Sequence, residues 1–587
     1  MSKSLLDCVL IGYNDVDLKT VIANSETTRH ISGGYRWLMG NVVKFRGKWM
    51  NYMNLMNAVV SESSGVNPQL HAMQMPNLGV CYLQSFLARR NFSVEAINFF
   101  NSDKDRLASL LEMDPKAVAI TTTFYVDNPP ITEIVQFVRR YNKDTKIIVG
   151  GPHIWNICSQ KDALTVDYLL RDIGGDIYIY DSQGEDTLAR VLSELRRPRH
   201  QQDLTSIPNL VYQADRRVTT KERFFLGPAR ESSSFVRTGR QPETNSMDEN
   251  AVDWSYIPRD LYVPTVQIRT ARSCAFACSF CRYPVVAGDL NLTSLEVVER
   301  ELKQLHNAGV ENLVFIDDTF NVPLPRFKKL LQMMIRNKFE FNWFSYFRCS
   351  NSDDEAFNLM KASGCKGVFL GIESGDQGIL NNMNKFAQVQ KYKDGIRKLN
   401  DRDIMTYVSL VIGFPGETQQ SVQNTIDLIE ETEPTFYKAE VYFHDEDVPI
   451  HEDAEKYGLT KSAYSWAHKT MNWEEASDCV EMMHKTIKGS VVFPPYMFDF
   501  WSIPYLMGKG IKRDHIRAFA RAAQPLLLKN YANYDLGAGG AGATGYGALI
   551  DVGRTISHDL QLESPRSEPT PEPVPLGVSK TPDLQTK

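Results

Sequence analysis

Three cysteines stand close together in the middle of the chain, in the pattern Cys274-x3-Cys278-x2-Cys281. A predicted strand, Thr265–Ile268, runs directly into this segment, which we therefore predict to be a loop. Three thiolates at this spacing can wrap one metal centre. A four-iron cubane held by only three of them keeps one iron without a protein ligand, and that open position can bind a further molecule.

Spacing alone also leaves room for a zinc site or for a coincidental cluster. A structural zinc loop needs a fourth ligand, and the nearest downstream histidine, His306, falls inside a predicted amphipathic helix. The sequence also has no second C-x2-C pair, which is the usual zinc signature. If the clustering is a coincidence, the three cysteines would be ordinary thiols like the other six cysteines of the chain, which we predict to be reduced and partly buried.

The cysteine spacing, the aromatic Phe280 before the last cysteine and the β/α units that follow resemble the radical S-adenosylmethionine (SAM) superfamily. The resemblance covers roughly residues 263–446. It implies that Cys274, Cys278 and Cys281 hold a [4Fe–4S] cluster whose free iron chelates SAM. It further implies that electron transfer to the cluster cleaves SAM and releases a 5′-deoxyadenosyl radical.

Further segments match the motifs with which this superfamily binds SAM. Asp317 and Asp318 end a predicted barrel strand, where a ligand-facing role competes with an ion pair or a helix cap. Residues 371–375 resemble a segment that hydrogen-bonds SAM, 413–418 resemble a turn beside the adenine, and Arg348 could pair with the SAM carboxylate. No catalytic residue is identified. The residues predicted to contact SAM are Phe280, Asp317, Asp318, Arg348, Glu373, Ser374, Gly413 and Pro415.

The N-terminal part resembles the cobalamin-binding domain that is fused to many radical SAM enzymes. The match rests on residues 76–83, 117–121, 147–153 and 184–188. Glycines there would let a corrin and its nucleotide tail approach the backbone. The residues predicted to contact cobalamin are Thr121, Thr122, Gly150, Gly151, Pro152, His153 and Glu185.

One motif of other cobalamin domains is missing. The D-x-H-x-x-G pattern, whose histidine ligates cobalt from below, does not occur in the sequence, and His153 lies in a different context. Radical SAM relatives commonly lack this motif, so cobalamin remains the prediction and the lower axial ligand stays open. The alternative is a Rossmann-like domain without a cofactor. A nicotinamide is disfavoured because no G-x-G-x-x-G follows the first predicted strand.

Strands alternate with helices in both halves of the chain, which predicts an α/β protein. The first 200 residues predict a doubly wound, Rossmann-like parallel sheet. From Thr265, six strands predict a partial (β/α)6 barrel whose ligands lie at the carboxyl ends of the strands. Residues 21–75 fit neither pattern and stay unassigned. The predicted divisions are a cobalamin-binding domain at 1–197, a linker at 198–262, the radical SAM barrel at 263–450, a mostly helical C-terminal domain at 451–550 and a disordered tail at 551–587.

Composition excludes several classes of protein. The 587 residues are 43% hydrophobic and 23% charged with a net charge of −6, which is ordinary for a globular protein without a basic stripe. We therefore expect no nucleic-acid partner. There is no signal-peptide pattern and no apolar run of about 18 residues, so we expect no membrane partner and a cytoplasmic location.

The resemblance implies a cobalamin-dependent radical SAM methyltransferase. Its target would be an unactivated carbon, or a phosphinate phosphorus, of a small molecule or peptide, which would receive the methyl group from methylcobalamin. An external one-electron reductant, of flavodoxin or ferredoxin type, would supply electrons to the cluster. The alternatives are a cyclase or rearrangement enzyme with the same cofactors, a radical SAM enzyme without cobalamin, and a non-catalytic Fe–S electron-transfer module.

Overall fold

The computed structural model describes residues 6–213, 235–534 and 546–562. Its N-terminal sheet is built from apolar runs that are buried on both faces, as a parallel sheet covered by helices requires. We number the strands of the two large sheets in chain order. The first sheet contains β1 (Cys8–Tyr13), β2 (Val94–Phe99), β3 (Ala117–Thr121), β4 (Lys146–Gly150), β5 (Ile177–Ile179), β6 (Leu210–Gln213) and β7 (Phe235–Arg237).

The strand order of this sheet is β2-β1-β3-β4-β5-β6-β7. The first five strands are parallel, and the order reverses beside β1, as in doubly wound folds. Two hydrophobic clusters cover its two faces. The helices in this part of the chain are Leu78–Ala88, Lys104–Leu111, Pro129–Tyr141, Pro152–Gln160, Ala163–Ile173 and Glu185–Arg196.

The second sheet is entirely parallel and follows the chain order from β8 to β14. Its first and last strands are not paired, so it forms an open barrel. The strands are β8 (Thr265–Ile268), β9 (Asn312–Phe315), β10 (Asn342–Phe347), β11 (Cys365–Glu373), β12 (Met405–Ile412), β13 (Phe436–Val441) and β14 (Val491–Val492). The helices between them are Tyr283–Ala287, Leu295–Ala308, Leu324–Arg336, Asp354–Ala362, Gln377–Asn382, Val389–Asn400, Gln419–Thr432, Ala454–Tyr457 and Trp473–Thr486.

The predicted α/β architecture is therefore confirmed, with its doubly wound domain, its partial barrel and its mostly helical C-terminal region. The six predicted barrel strands correspond to β8–β13. The sequence did not indicate β14, because two valines are too short a run to carry a strand pattern. Beyond the barrel, the chain forms helices Ser502–Gly508, Arg513–Tyr534 and Gly547–Asp559.

Two predicted boundaries differ from the structure. Within the predicted linker, β6 and β7 add antiparallel strands to the edge of the first sheet, so that sheet extends well beyond residue 197. The linker also contains the short helices Met247–Asn250 and Arg259–Tyr262. The predicted tail begins too early, since helix Gly547–Asp559 buries Leu549 and Ile556. The rest of the tail, residues 563–587, lies outside the described residues.

Most of the unassigned N-terminal segment packs on the C-terminal region, and only its end, around Ala72–Gln74, contacts the first sheet at β2. It forms helices Leu18–Glu26, Gly34–Met39 and Tyr52–Ser64, and a hairpin of Val43–Phe45 with Lys48–Met50. Helix Tyr52–Ser64 lies against helix Gly547–Asp559. A Cβ on Gly553 would stand 2.7 Å from the carbonyl oxygen of Val59, which shows how closely the two backbones approach. No helix within the described ranges is long and apolar enough to cross a membrane.

Candidate functional site

The three cysteines lie on one loop that follows β8. Cys278 is buried, while Cys274 and Cys281 are half-buried, and all three are free thiols. Burial raises the pKa of the Cys281 thiol to about 11, and the neighbouring Cys278 and Cys274 add to that rise. Such a thiol is neutral at pH 7, so metal binding must displace its proton.

Hydrogen bonds from distant parts of the barrel hold this loop in place. The backbone N–H of Ser279 donates to the Met383 carbonyl at 2.9 Å, and the Ser279 carbonyl accepts from the Ile450 N–H at 2.8 Å. The Asn384 side-chain amide donates to the Ala277 carbonyl at 2.8 Å. The loop is therefore fixed by backbone and amide contacts rather than through its thiols, of which Cys274 Sγ lies 3.1 Å from Thr319 Oγ1.

The donor set bears on the choice between zinc and a cubane. Cys274, Cys278 and Cys281 supply three thiols on one loop. A structural zinc ion needs a fourth protein ligand, whereas a cubane held by three cysteines keeps one iron open. The three thiols therefore suit a [4Fe–4S] cluster.

Two cationic side chains stand beside the cysteine loop. Burial raises the pKa of Cys278, and Lys385 and Arg348 oppose that rise. Lys385 Nζ donates to Glu373 Oε1 at 2.8 Å, and each of the two side chains is only 10% exposed. Arg348 lies over the ring of Phe276 at 3.7 Å, and its Nη2 is buried without a hydrogen-bond partner. A buried donor without a partner costs free energy, so this site fits an anionic group such as the carboxylate of SAM.

Asp317 does not face a ligand, contrary to the prediction. Its side chain is buried and accepts hydrogen bonds from the Thr270 N–H at 2.6 Å, the Thr270 hydroxyl at 2.5 Å and the Ala271 N–H at 3.0 Å. It therefore orients the chain where β8 passes into the cysteine loop. Burial raises the pKa of its neighbour Asp318 to about 6, and Arg269 opposes that rise.

The other residues predicted for SAM mostly shape turns. The Ser374 hydroxyl accepts from the Asp376 N–H at 3.1 Å and is fully buried. Gly413, at φ +91°, packs against Trp466, where a Cβ would stand 2.4 Å from the indole. The Pro415 carbonyl accepts from Asn382 at 3.1 Å, and Phe280 meets the edge of Phe414 with 6.3 Å between ring centroids. Direct SAM contacts by these residues remain predictions.

A large cavity separates the barrel from the first sheet. Its volume is about 670 Å³. Both walls include residues at the carboxyl ends of parallel strands, where α/β proteins bind their ligands, together with residues of the helices and loops that follow those strands. The N-terminal wall includes Leu78, Gly79, Ile120, Gly150, Ile179 and Leu188. The barrel wall includes Gln267, Arg269, Arg272, Arg282, Tyr283 and Ile316.

The cavity brings together five of the seven residues predicted for cobalamin: Thr121, Gly150, Gly151, Pro152 and Glu185. Thr122 and His153 do not line it. The Thr122 hydroxyl donates to the Gly150 carbonyl at 3.0 Å and accepts from the His153 N–H at 3.2 Å. His153 Nε2 lies 2.9 Å from Asn128 Oδ1. Both side chains therefore support the loop after β4 from behind.

The N-terminal wall depends on missing side chains. Gly151 has φ +112°, and a Cβ there would stand 2.8 Å from the Thr122 hydroxyl. A Cβ on Gly150 would stand 3.3 Å from Ile179, and one on Gly79 would stand 3.2 Å from Asn77. This wall can therefore accept a large, flat group close to the backbone.

Three N–H groups on cavity-lining residues have no partner: Trp155 Nε1, Arg269 Nε and Arg272 Nε. Each is buried, so a ligand that supplies acceptors would satisfy it. Cobalamin carries amide carbonyls around its corrin and a phosphate in its nucleotide tail, so these unpartnered donors suit cobalamin.

Sequence analysis missed these three residues and Tyr283. Arg269 and Arg272 stand between β8 and Cys274, at the carboxyl end of a strand, which is the signal that had singled out Asp317 and Asp318. Trp155 lies in the first turn of helix Pro152–Gln160, directly after the glycine loop. An aromatic residue at such a position is more often part of a core, so its sequence position alone could not reveal it.

Comparisons with known proteins agree with this arrangement. Residues 268–429 match the model of the radical SAM superfamily, and residues 71–176 match that of the B12 binding domain. An uncharacterized methyltransferase of Pyrococcus horikoshii is 26% identical over 361 residues, which are 60% of this chain and 72% of that protein. The anaerobic magnesium-protoporphyrin IX monomethyl ester cyclase of Cereibacter sphaeroides is 22% identical, over 64% of this chain and 61% of its own length.

Two solved structures share the fold. One is the radical SAM methyltransferase TsrM of Kitasatospora setae with cobalamin and a [4Fe–4S] cluster bound, at a TM-score of 0.53 and 16% identity, covering 94% of this chain and 100% of that one. The other is the cobalamin-dependent SAM radical enzyme OxsB with aqua-cobalamin bound, at a TM-score of 0.55 and 12% identity, covering 95% and 84%. At such identities the likeness concerns the fold alone.

Proposed function

Because this chain belongs to the cobalamin-dependent radical SAM enzymes, we propose that it is a methyltransferase that acts on an unactivated carbon or a phosphinate phosphorus. Its substrate would be a small molecule or a peptide. The [4Fe–4S] cluster, SAM and cobalamin are its cofactors, with Cys274, Cys278 and Cys281 as the ligands of the cluster.

One observation carries the proposal: the last cysteine and the cavity wall are consecutive in the chain. Cys281 is followed at once by Arg282 and Tyr283, which both line the cavity between the two sheets. A cluster on the cysteine loop and a corrin in the cavity would therefore be neighbours, with room for a substrate only between them. A methyl transfer that needs both cofactors also needs this proximity.

The chemistry is divided between the cofactors and the chain. When bound, the cluster with SAM supplies a radical that removes hydrogen from a substrate, and cobalamin supplies the methyl group. The chain holds these groups in register: Arg348 would pair with the SAM carboxylate, and the Glu373–Lys385 ion pair would contact SAM beside the cluster. Apolar groups on the N-terminal wall would keep water away while radicals persist.

The electrons would come from outside. Ala275 and Ala277, on the cysteine loop, are exposed, so the loop has an edge that a flavodoxin- or ferredoxin-type reductant could approach. The names of two relatives also support methyl transfer, since the Pyrococcus horikoshii protein and TsrM are both called methyltransferases.

The experiment uses anaerobically reconstituted protein with hydroxocobalamin, a titanium(III) reductant and SAM that carries a trideuterated methyl group. Candidate phosphinates, amino acids and small peptides are added one at a time. We expect a product in which one hydrogen is replaced by the labelled methyl group, together with 5′-deoxyadenosine. Mass spectrometry identifies the products. If candidates support 5′-deoxyadenosine formation but none of their products carries the labelled methyl group, the methyltransferase proposal is contradicted.

The second candidate is a cyclase or rearrangement enzyme with the same cofactors. The Cereibacter sphaeroides relative, a cyclase, is the observation that favours it. The same experiment separates the two, because a rearrangement changes the substrate without adding a carbon. A non-catalytic Fe–S module would form no 5′-deoxyadenosine at all.

A further inference from the structure

Two arginines bracket the cysteine loop. Arg272 stands two residues before Cys274, and Arg282 directly follows Cys281. Both side chains line the cavity between the barrel and the first sheet. Each one also reaches across to residues that belong to the N-terminal domain.

Arg272 fastens the start of the loop. Its Nη1 donates to Gln183 Oε1 at 2.6 Å, and its Nη2 donates to the Asn245 carbonyl at 3.3 Å. Asn245 in turn donates through its side chain to Glu185 at 3.0 Å and to Glu243 at 2.7 Å. Since Gln183 and Glu185 are themselves cavity residues, Arg272 joins the cysteine loop to the loop after β5.

Arg282 fastens the end of the loop to two elements at once. Its Nη1 donates to Asn156 Oδ1 at 3.4 Å, on helix Pro152–Gln160 of the N-terminal domain. Its Nη2 lies 3.4 Å from Asp447, in the segment after β13. Asp447 also accepts from Gln160 of the same N-terminal helix. Arg282 therefore stands at a junction of the cysteine loop, the barrel exit and the cobalamin-binding domain.

A planar guanidinium suits this task. It directs several donors in fixed directions, so one side chain can hold two acceptors on different elements, which the single ammonium of lysine does with less directional control. The reaction also needs this control, because a misplacement of about 1 Å between reacting groups can cost a hundredfold in rate.

We propose that Arg272 and Arg282 are positioning residues that set the distance and orientation between the cysteine loop and the cobalamin cavity. The inference rests on the proposed function, because only a reaction that uses both cofactors requires a fixed distance between them. Neither arginine needs to touch a reacting atom. Their role is to keep the two domains in register while both cofactors are loaded.

The test compares full-length Arg272→Lys and Arg282→Lys with the unchanged protein, each reconstituted with iron, sulfide and hydroxocobalamin. In the reduced protein, the paramagnetic cluster accelerates the spin relaxation of cob(II)alamin by an amount that falls steeply with their separation. Pulsed EPR, normalised to the bound iron and cobalt, is expected to show this acceleration weakened and heterogeneous in each lysine variant. Methyl transfer from SAM to reduced cobalamin should slow by about tenfold or more.

The matched control is Arg106→Lys, at a surface ion pair with Glu95 of 2.8 Å in the same N-terminal domain. It should leave both measurements unchanged. If a lysine variant does not fold, Gln183→Leu and Asn156→Leu remove the acceptors of Arg272 and Arg282 on the N-terminal domain and carry the same expectation. Unaltered spin relaxation in the lysine variants would overturn the proposal. If a lysine variant does not fold, unaltered relaxation in the corresponding acceptor variant would do so. Intact relaxation effects in a protein that methylates no substrate would instead count against the methyltransferase alone.

Discussion

The two walls of the cavity are built in different ways. The barrel wall and the cysteine loop behind it depend on charged and hydrogen-bonded side chains. Asp317 accepts three hydrogen bonds beneath the loop, Glu373 and Lys385 form a buried ion pair, and Arg272 and Arg282 tie the loop to the other domain. The N-terminal wall depends on glycines and apolar side chains that leave space.

This difference follows from what each wall has to hold. Small, charged groups need partners of opposite charge in fixed positions, because an unpaired buried charge is costly. A corrin is large and already carries its own amides, so its wall needs mainly room and shape. Removing a polar group should therefore damage the barrel side, while adding volume should damage the N-terminal side.

The largest effect is expected from Cys274→Ala, which removes one of the three proposed cluster ligands on the barrel side of the cavity. A cluster that lacks one of three protein ligands cannot keep its structure, so 5′-deoxyadenosine formation should fall to background. Chromatography of the nucleoside products measures it. Cys158→Ala, a buried cysteine of the N-terminal core, is the control and should keep the activity. Full activity in Cys274→Ala would contradict the cluster assignment.

The next effect tests the N-terminal wall by adding volume. Gly79 lines the cavity, and a side chain there would point toward Thr121 and Thr123. Gly79→Leu should weaken retention of hydroxocobalamin by about tenfold or more, because the added side chain would occupy space that the corrin needs. A tenfold loss of affinity corresponds to about 1.4 kcal/mol. Absorbance after desalting measures it. Gly239→Ala, where a Cβ meets no atom within 4 Å, should retain the corrin; equal retention by Gly79→Leu would show that this wall is not shaped for it.

A third prediction concerns the polar construction of the barrel and its dependence on pH. Burial raises the pKa of Glu417 to about 8, and the N–H groups of Gly413 and Phe414 oppose that rise. In the unfolded chain this carboxyl ionises near its ordinary value of 4.5, so between that pH and 8 the folded state binds more protons. Its contribution to stability is therefore lost as pH rises toward 8.

Glu417→Gln removes this titration. Between pH 6 and 9, the unchanged protein should lose roughly 2 kcal/mol of unfolding free energy relative to the glutamine variant. Urea unfolding followed by circular dichroism at the two pH values measures the difference. Parallel losses in the two proteins would mean that Glu417 is ionised in the folded state.

The smallest effect is expected at His153. Its Nε2 lies 2.9 Å from Asn128 Oδ1, and His153 does not line the cavity, so we expect it not to ligate cobalt. His153→Gln should keep hydroxocobalamin retention within about twofold, and the EPR spectrum of bound cob(II)alamin should show the same nitrogen hyperfine pattern. A changed hyperfine pattern would indicate that His153 ligates cobalt. The N-terminal wall would then also hold its ligand through a polar side chain, as the barrel wall does.

The two walls also differ in how far the sequence could predict them. The cysteine loop is predictable, because three thiols within eight residues rarely occur without a shared ligand. The role of the glycines after β4 follows from the resemblance to cobalamin-binding domains. Asp317 was misjudged, since the end of a strand shows where a carboxylate stands but not whether it turns toward a ligand or toward the backbone of Thr270. Trp155 and Arg269 were missed because their role depends on contact between two domains.

One part of the fold could not be predicted for a similar reason. Alternating apolar runs indicate β1–β4 of the first sheet and β8–β13 of the second within a few residues. The segment at 21–75 had no readable period, because its apolar residues pack on the C-terminal helices instead of repeating within one amphipathic element. Its partners lie almost at the other end of the chain, and no local pattern carries that information.

The meeting of helix Tyr52–Ser64 with helix Gly547–Asp559 has a consequence for how the protein is made on the ribosome. The first helix leaves the ribosome long before its partner is translated. At about 5–20 residues per second, the delay is on the order of a minute. During that time the part of its surface that packs on helix Gly547–Asp559 stays uncovered, so the nascent chain is expected to need chaperone protection until helix Gly547–Asp559 emerges.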